Sequence, residues 1–469
     1  MLRTTLASAV VLGIVSWFAV NAVGLATQPA SPQPVPPEFE PRIFDIINAV
    51  SADRIEQDIR TLVGFGTRHT LSDTDSDTRG IGAARRWIQS QFERISDSCG
   101  GCLEVSSQSH IVVGNPQTRV PIDTEIVNVL ATIHGTTDPN RYVIMSGDID
   151  SRISDITNST DDSPGANDNA SGMAGVLETA RVLSAYRFNA SIILVGLSGE
   201  EQGLLGGRHM ASVAKGEKWN IEGLLNNDMI GNIEGLDGVV QNNTFRVFSE
   251  PTSVLESEEQ RRNRRFNGGE IDGVSRQLAR YVSRVTDRYM ENLEPIMIYR
   301  LDRFGRGGHH RPFNDEGFPA VRIMETHENY RRQHQDIRME NGIAYGDVIE
   351  GVNFDYAAKL TAVNAAVLAS LAWAPPAPTN VEISGAVQPS TSLYWEPIDD
   401  RSAPNLAGYK VHWRETTAPQ WQRSRFVGKV TEYTLENIII DNYLFGVSSI
   451  DTNGNESVVA FPRRRRQSP

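Results

Sequence analysis

Residues 165–203 read GANDNASGMAGVLETARVLSAYRFNASIILVGLSGEEQG. Within them Met173, Val176, Leu177, Ala180 and Leu183 recur at helical spacing and make one apolar face. The run 191–197 is short, apolar and β-branched, as a buried strand is, and it ends in the polar Ser198-Gly199-Glu200-Glu201-Gln202-Gly203. A polar loop, an amphipathic helix and a buried strand in succession form the repeating unit of a parallel α/β sheet. The alternation continues outward in both directions. Further strands are expected at 142–146, 224–230 and 319–324, and helices at 80–94, 171–185, 274–290 and 356–373. Together they predict an α/β domain over residues 43–374, a mainly parallel mixed sheet flanked by helices.

At the N-terminus Arg3 precedes an almost wholly apolar run at 6–23, and Gly24-Leu25-Ala26 offers a small-x-small cleavage site. Residues 1–26 therefore read as a secretory signal peptide. An uncleaved anchor is the other reading, because the run approaches spanning length. The expected location is secreted or periplasmic, with no stable membrane span once the signal is cleaved. Residues 27–42, with Pro29, Pro32, Pro34, Pro36 and Pro37, read as an extended linker. The 469-residue chain is 39% hydrophobic and 22% charged, enough material for more than one soluble domain. Its net charge of −13 argues against nucleic acid as a partner. Cys99 and Cys102 form a CxxC, which serves as a redox centre, half a zinc site or a small disulfide. The exported context and the Gly-Gly spacer favour the loop-closing disulfide.

Residues 250–306, rich in Arg and Glu, read as an insertion able to cover the sheet edge or the site, most of it a solvated charged helix. Pro375-Pro376-Ala377-Pro378 then marks a break in composition. Short alternating stretches at 391–395, 409–413, 433–435 and 443–449 predict an all-β sandwich over 375–462. With its Leu-Tyr-Trp-Glu-Pro, Gly-Tyr-Lys-Val-His-Trp and Asp-Thr-Asn-Gly-Asn-Glu-Ser segments, this region resembles a fibronectin type III domain. Such a module would contact surfaces or polymers rather than carry chemistry. Residues 463–469, opening on four arginines, read as a frayed basic tail.

The polar ends of the strands carry the chemistry. Asp148 and Asp150 follow the strand 142–146, Asp168 leads into the amphipathic helix, Glu200 and Glu201 follow 191–197, and Asp228 lies in Asn226-Asn227-Asp228-Met229. Ligands of open α/β sheets collect at the carboxyl ends of the strands. Carboxylates crowded there repel one another unless cations neutralise them.

GANDNASG, GEEQGLLGG and NNDMIG, in that order, resemble the cocatalytic zinc peptidases that include bacterial leucyl aminopeptidases and glutamate carboxypeptidase. The resemblance implies two divalent metals at the strand ends and peptides as substrates. It implies that Asp168 bridges both ions, Glu201 binds one, Asp228 binds the other, and His334 completes the site of Glu201, with His327 a weaker competitor. Glu200 would be the general base. His309 and His310, which precede the 319–324 strand, would line the substrate pocket.

The chain departs from the family in one place: where His-x-Asp is usual it has Asp148-Ile149-Asp150. Asp148 is taken as a direct ligand, with Asp150 turned to another partner such as Arg152; the alternative is that Asp150 ligates. The second site would then be all-oxygen, less selective for zinc and open to Mn, Mg or Ca. At least one zinc is expected, with zinc or a harder ion beside it. The expected function is an exported metal-dependent exopeptidase of aminopeptidase type. The Arg-rich stretch 300–311 would suit a carboxypeptidase instead, and a non-catalytic binding protein of the same fold is a further alternative.

Overall fold

Successive side chains of a strand face opposite sides of its sheet. Val143, Met145, Ile192 and Leu194 belong to one buried cluster, whereas Ile144, Ile193 and Val195 belong to another. A sheet apolar on both faces has to be covered on both. The computed structural model describes residues 34–465. The expected signal peptide, the first part of the linker and the end of the basic tail lie outside the described residues.

The chain runs through α1 (Pro41–Ala49), α2 (Ala52–Gly64) and α3 (Gly80–Ser98) to β1 (Glu104–Val112), β2 (Thr124–Ile133) and β3 (Asp138–Asp148). α1 begins inside the expected linker, because Glu40 caps it by accepting from the Arg42 backbone N–H. α4 (Gly172–Leu183), β4 (Ala190–Leu197), α5 (Leu205–Gly216) and β5 (Asn220–Asn227) follow. Then come β6 (Thr244–Phe248), α6 (Glu258–Asn267), α7 (Val274–Tyr289), β7 (Glu294–Ile298), α8 (His310–Asp315) and β8 (Ala320–Glu325). The small hairpin of β9 (Arg338–Glu340) and β10 (Ile343–Tyr345) leads to α9 (Phe354–Trp373). Cys99 and Cys102 form the expected disulfide just after α3.

The main sheet has the order β1-β2-β4-β3-β5-β8-β6-β7. Its central strands β4, β3, β5 and β8 are parallel, so their carboxyl ends open along one edge. β1, β2 and β6 join antiparallel, which makes the sheet mixed. Helices α1, α2, α3, α4, α7 and α9 cover one face, and α5 and α8 cover the other. A Cβ on Gly147 would lie 2.7 Å from the Gly172 carbonyl carbon. This glycine pair lets the start of α4 rest directly on the end of β3, and so carries the loop containing Asp168 over Asp148.

Residues 250–306 divide in two. α6 is the solvated charged helix expected there, with none of its residues buried. α7 is not: Leu278, Ala279, Tyr281, Val282 and Val285 are in the core, and Arg276 and Arg280 are buried with them. Arg280 donates to the Pro419 carbonyl at 2.7 Å and Arg284 lies 2.6 Å from Glu456, both in the C-terminal region, while Arg276 is held by Ser249.

Those sheets are β15 (Glu432–Leu435), β12 (Thr391–Tyr394), β11 (Glu382–Ser384) and β17 (Arg463–Arg464) in one layer, and β14 (Arg423–Gly428), β13 (Leu406–Glu415) and β16 (Tyr443–Asp451) in the other. Leu393, Trp395, Tyr409, Val411, Phe445 and Val447 pack together as their core. The basic tail is ordered further than expected: Arg463 and Arg464 pair with Glu382 and Ile383, and Arg465 lies 3.6 Å over the Tyr394 ring.

One carboxylate joins the two layers of structure. Asp272 accepts from Arg280 at 2.9 Å, from Gln277 at 3.0 Å and, through both oxygens at 2.8 Å, from Arg414 of β13. Removing one partner of such a buried pair strands the other charges without solvent. Asp272→Ala is expected to lower unfolding free energy by about 3–5 kcal/mol, measured by urea denaturation; a loss within error would refute the central role given to this contact.

Candidate metal centre

The loop of residues 165–171 is held from two sides. The backbone N–H groups of Asn167 and Asp168 donate to the two Asp347 carboxylate oxygens at 2.8 and 2.7 Å. The Asn167 amide donates to Glu325 Oε2 at 2.9 Å, and its oxygen accepts from Gly231 N–H at 2.8 Å. Asn169 donates through Nδ2 to Asp148 Oδ2 and to the Asn227 carbonyl, both at 2.7 Å. The loop is thus tied to the ends of β3, β5 and β8 at once, and Asp168 is presented at their convergence.

The loop after β4 has its own anchor. Both oxygens of Asp150 accept backbone N–H groups, from Glu200 and Glu201 at 3.1 Å each, and Thr70 donates to Asp150 Oδ2 at 3.1 Å. Asp150 is therefore the residue that aims the glutamate pair. It does not pair with Arg152, as the sequence suggested, because its oxygens are taken by these amides. Arg152 turns instead to Glu201, with Nε 2.7 Å from Oε2, and to His334, with a guanidinium nitrogen 2.5 Å from Nδ1.

His334 lies at φ 53°, a left-handed conformation costly for a residue with a Cβ. Its Nε2 stands 2.9 Å from Asp168 Oδ2 and 2.8 Å from Glu201 Oε1. Burial opposes a charge on the ring, but the Glu201 and Asp168 carboxylates outweigh it and push the imidazole pKa upward. Conversely, burial alone would raise Asp168 and Glu201, and the nearby ring holds both below their ordinary range. Arg152 can meet Nδ1 only as a donor, so the contacts place the ring proton on Nε2, where the oxygens of Asp168 and Glu201 meet.

The ligand atoms of Asp168, Glu201 and His334 lie within 4.8 Å of one another. An imidazole and two carboxylates at that spacing, with an ordering partner behind Glu201, fit a zinc ion. Among the described residues no other group of three such side chains converges in this way.

Asp148 and Asp228 stand apart from this triad. Asp148 Oδ1 is 2.6 Å from His309 Nδ1, and its other oxygen accepts from Asn169. Burial, with Asp150 next, lifts its pKa well above the usual carboxylate range. Asp228 Oδ2 is 2.8 Å from an Arg322 nitrogen, and burial carries its pKa up to about 8 despite that guanidinium. Glu200 is raised by burial and then by Glu201, Asp228, Asp148 and Asp168 around it.

The remaining histidines differ from their expected places. His309 and His310 are wholly buried, so neither lines an open substrate pocket. His309 backs Asp148, and His310 Nε2 donates to the Leu301 carbonyl at 2.8 Å. Burial pushes both down to about 4, which keeps them neutral. His327 bonds to Gln241 at 3.0 Å.

Sequence reasoning missed Arg322, Asp347, Glu325 and Thr70. Arg322 had a signal, since it is the one charged residue in the apolar run 319–324. Asn167 and Asn169 had one too, flanking Asp168 in its motif.

Glu325 gives this scaffold a pH dependence. Both its donors meet Oε2, and burial raises its pKa from 4.5 to about 8. The folded chain then keeps a proton that the unfolded chain sheds, so this group lowers stability as pH rises from 4.5 to about 8. Glu325→Gln keeps the accepting oxygen and cannot ionise. Denaturation midpoints of this variant should gain on the wild type between about pH 5 and about pH 8; parallel curves would disprove the assignment.

Residues 128–344 match Peptidase family M28. The chain is 42% identical over 429 residues to a protein of Leptosphaeria maculans named "Probable zinc metalloprotease", covering 91% of this chain and 98% of that one. A Pyricularia oryzae protein of the same name is 40% identical over 420 residues, covering 89% and 83%. Among solved structures, LapB from Legionella pneumophila superposes with a TM-score of 0.51 at 17% identity, over 71% of this chain and 75% of that one. At that identity the likeness concerns the fold.

Proposed function

This chain belongs to peptidase family M28, and on that premise we propose that it is an exported zinc-dependent exopeptidase that removes residues from the amino ends of peptides. The observation that carries the reading is the Asp168–Glu201–His334 triad, with Glu200 the residue next to Glu201 and its pKa raised by burial and then by the carboxylates around it. Zinc held by those three residues would supply Lewis acidity to the scissile carbonyl and to the attacking water.

The chain's own groups do the rest. Asp150 holds the Glu200 and Glu201 amides, so both side chains leave one fixed loop. Glu201 reaches His334, and Glu200 lies within the field of Glu201, Asp228, Asp148 and Asp168. Glu200 takes the proton of the attacking water and delivers it to the leaving amine nitrogen, which a carboxylate pushed above its ordinary pKa is suited to do. Arg152 keeps Glu201 Oε2 occupied, leaving Oε1 turned toward the triad. His334 would hold the ion through Nε2, the nitrogen that faces the Asp168 and Glu201 oxygens.

Cleavage at the amino end is favoured over the carboxyl end because the guanidinium groups near the site are already paired. Arg303 stands 2.9 Å and Arg306 3.3 Å from Glu328, so neither is a free clamp for a terminal carboxylate. Export is supported by the apolar, Arg-led residues 1–26 and by the Cys99–Cys102 disulfide, a bond of oxidising compartments. No helix of the described residues is long and apolar enough to cross a membrane. The strand order of the C-terminal sheets supports assigning 375–462 to a fibronectin type III-like module, whose role is to contact surfaces or polymers.

Aminoacyl-nitroanilides with a free amine should be cleaved and lose cleavage on chelation, while amino-blocked analogues resist. Glu200→Gln should lower kcat by about 10²–10⁴ with zinc content unchanged. Metal-independent turnover, or full activity in this variant, would overturn the proposal.

A further inference from the structure

The resemblance in sequence implies a second ion on Asp148, Asp168 and Asp228, and the geometry of those residues does not suit one. Asp228 spends its Oδ2 on Arg322, 2.8 Å away. Both oxygens of Asp148 already accept, one from His309 and the other from Asn169. A divalent ion binding Asp228 would sit beside a guanidinium 2.8 Å from Oδ2, in a buried place where solvent screens the two positive charges little.

Arg322 is not a loose surface chain that an ion would push aside. It projects from β8, in register with Asn226 of β5, and its side chain is wholly buried. Its other terminal nitrogen lies 3.1 Å from Asp302 Oδ2 and donates to the Gly307 carbonyl at 2.9 Å. Asp302 is in turn fixed by the Arg303 backbone N–H. The guanidinium is therefore clamped from behind and pointed at the carboxylates, and its charge also reaches Asp148 and Glu200. The aspartate at 148, where the family carries an imidazole, supplies one more negative charge to a place that already holds a permanent positive one.

We propose that Arg322 stands where the resemblance places a second cation, so that the working chain carries a single divalent ion, on Asp168, Glu201 and His334. Arg322 acts as a positioning residue: it neutralises Asp228 and holds it beside Glu200, and it cannot serve as a Lewis acid. Catalysis then rests on one ion and one base. The inference deepens the peptidase reading and rests on it for the first ion. Its test counts ions rather than turnover, so each can fail alone.

Zinc is titrated calorimetrically into chelator-stripped full-length protein, and native mass spectrometry gives the ion count. The wild type should bind one ion, and His334→Ala should bind none. Arg322→Met frees Asp228 and should bind two, whereas Arg322→Lys restores the charge and should return to one. Asp228→Asn, which keeps shape without charge, should still bind one ion with affinity within about threefold of wild type. Two tightly held ions in the wild type would overturn the proposal, as would loss of an ion in Asp228→Asn. A count of one in folded Arg322→Met would overturn the role given to Arg322. If that variant does not fold, the wild-type and Asp228→Asn counts still decide the matter.

Discussion

Asp148, Asp168, Glu200, Glu201 and Asp228 are delivered to one buried place by the carboxyl ends of parallel strands and the loops that leave them. Carboxylates so close and so poorly solvated cannot all remain ionised without positive charge among them. The sources of that charge organise the molecule around the centre. His334 enters from a late loop between Asp168 and Glu201, Arg152 backs Glu201, and Arg322 rises from the neighbouring strand to Asp228. Asp148 and Asp228, outside the His334 triad, are raised by burial first and by neighbouring carboxylates after it. Asp168 and Glu201, next to it, are held below their ordinary range.

Positioning these groups takes a second set of polar side chains. Asp150, Asp347 and Glu325 each use carboxylate oxygens to hold backbone or amide N–H groups of the loops carrying Glu200, Glu201 and Asp168. A loop fixed through its own amides cannot drift without leaving several buried donors unpaired. The same logic recurs at a distance from the centre. Asp272 gathers Arg280 and Arg414 where α7 meets the C-terminal sandwich, and Arg284 reaches Glu456 at 2.6 Å. One face of a charged helix that reads as solvated is thereby buried, with Arg280 and Arg284 met by residues far along the chain.

Much of this was legible in the residues alone. Apolar runs with period two and helical stripes such as Met173–Val176–Leu177–Ala180–Leu183 report burial through local spacing, so the α/β class, the parallel core strands and the later all-β region followed from them, while the family followed from the resemblance carried by GANDNASG, GEEQGLLGG and NNDMIG. The Cys99–Cys102 disulfide was legible for the same reason, since its partners are three residues apart. Acidic groups at strand ends nominated Asp148, Asp168, Glu200, Glu201 and Asp228 as candidates, and His334 was added only by what the family resemblance implies.

What tertiary structure alone decided is which of those groups meet, and with what. Arg322 and Asp228 are 94 residues apart, Arg152 and His334 182 apart, Asp272 and Arg414 142 apart. No periodicity carries such pairings, because they depend on which strands become neighbours and how far each side chain reaches. Asp150 thus turned out to hold amides rather than Arg152, His309 and His310 proved to be buried supports, and α7 proved to be covered. Burial patterns are written in local spacing, so the sequence by itself determined the fold and the inventory of charged groups. Compensation of buried charge is a long-range, three-dimensional condition, so only the fold decided how those charges are balanced.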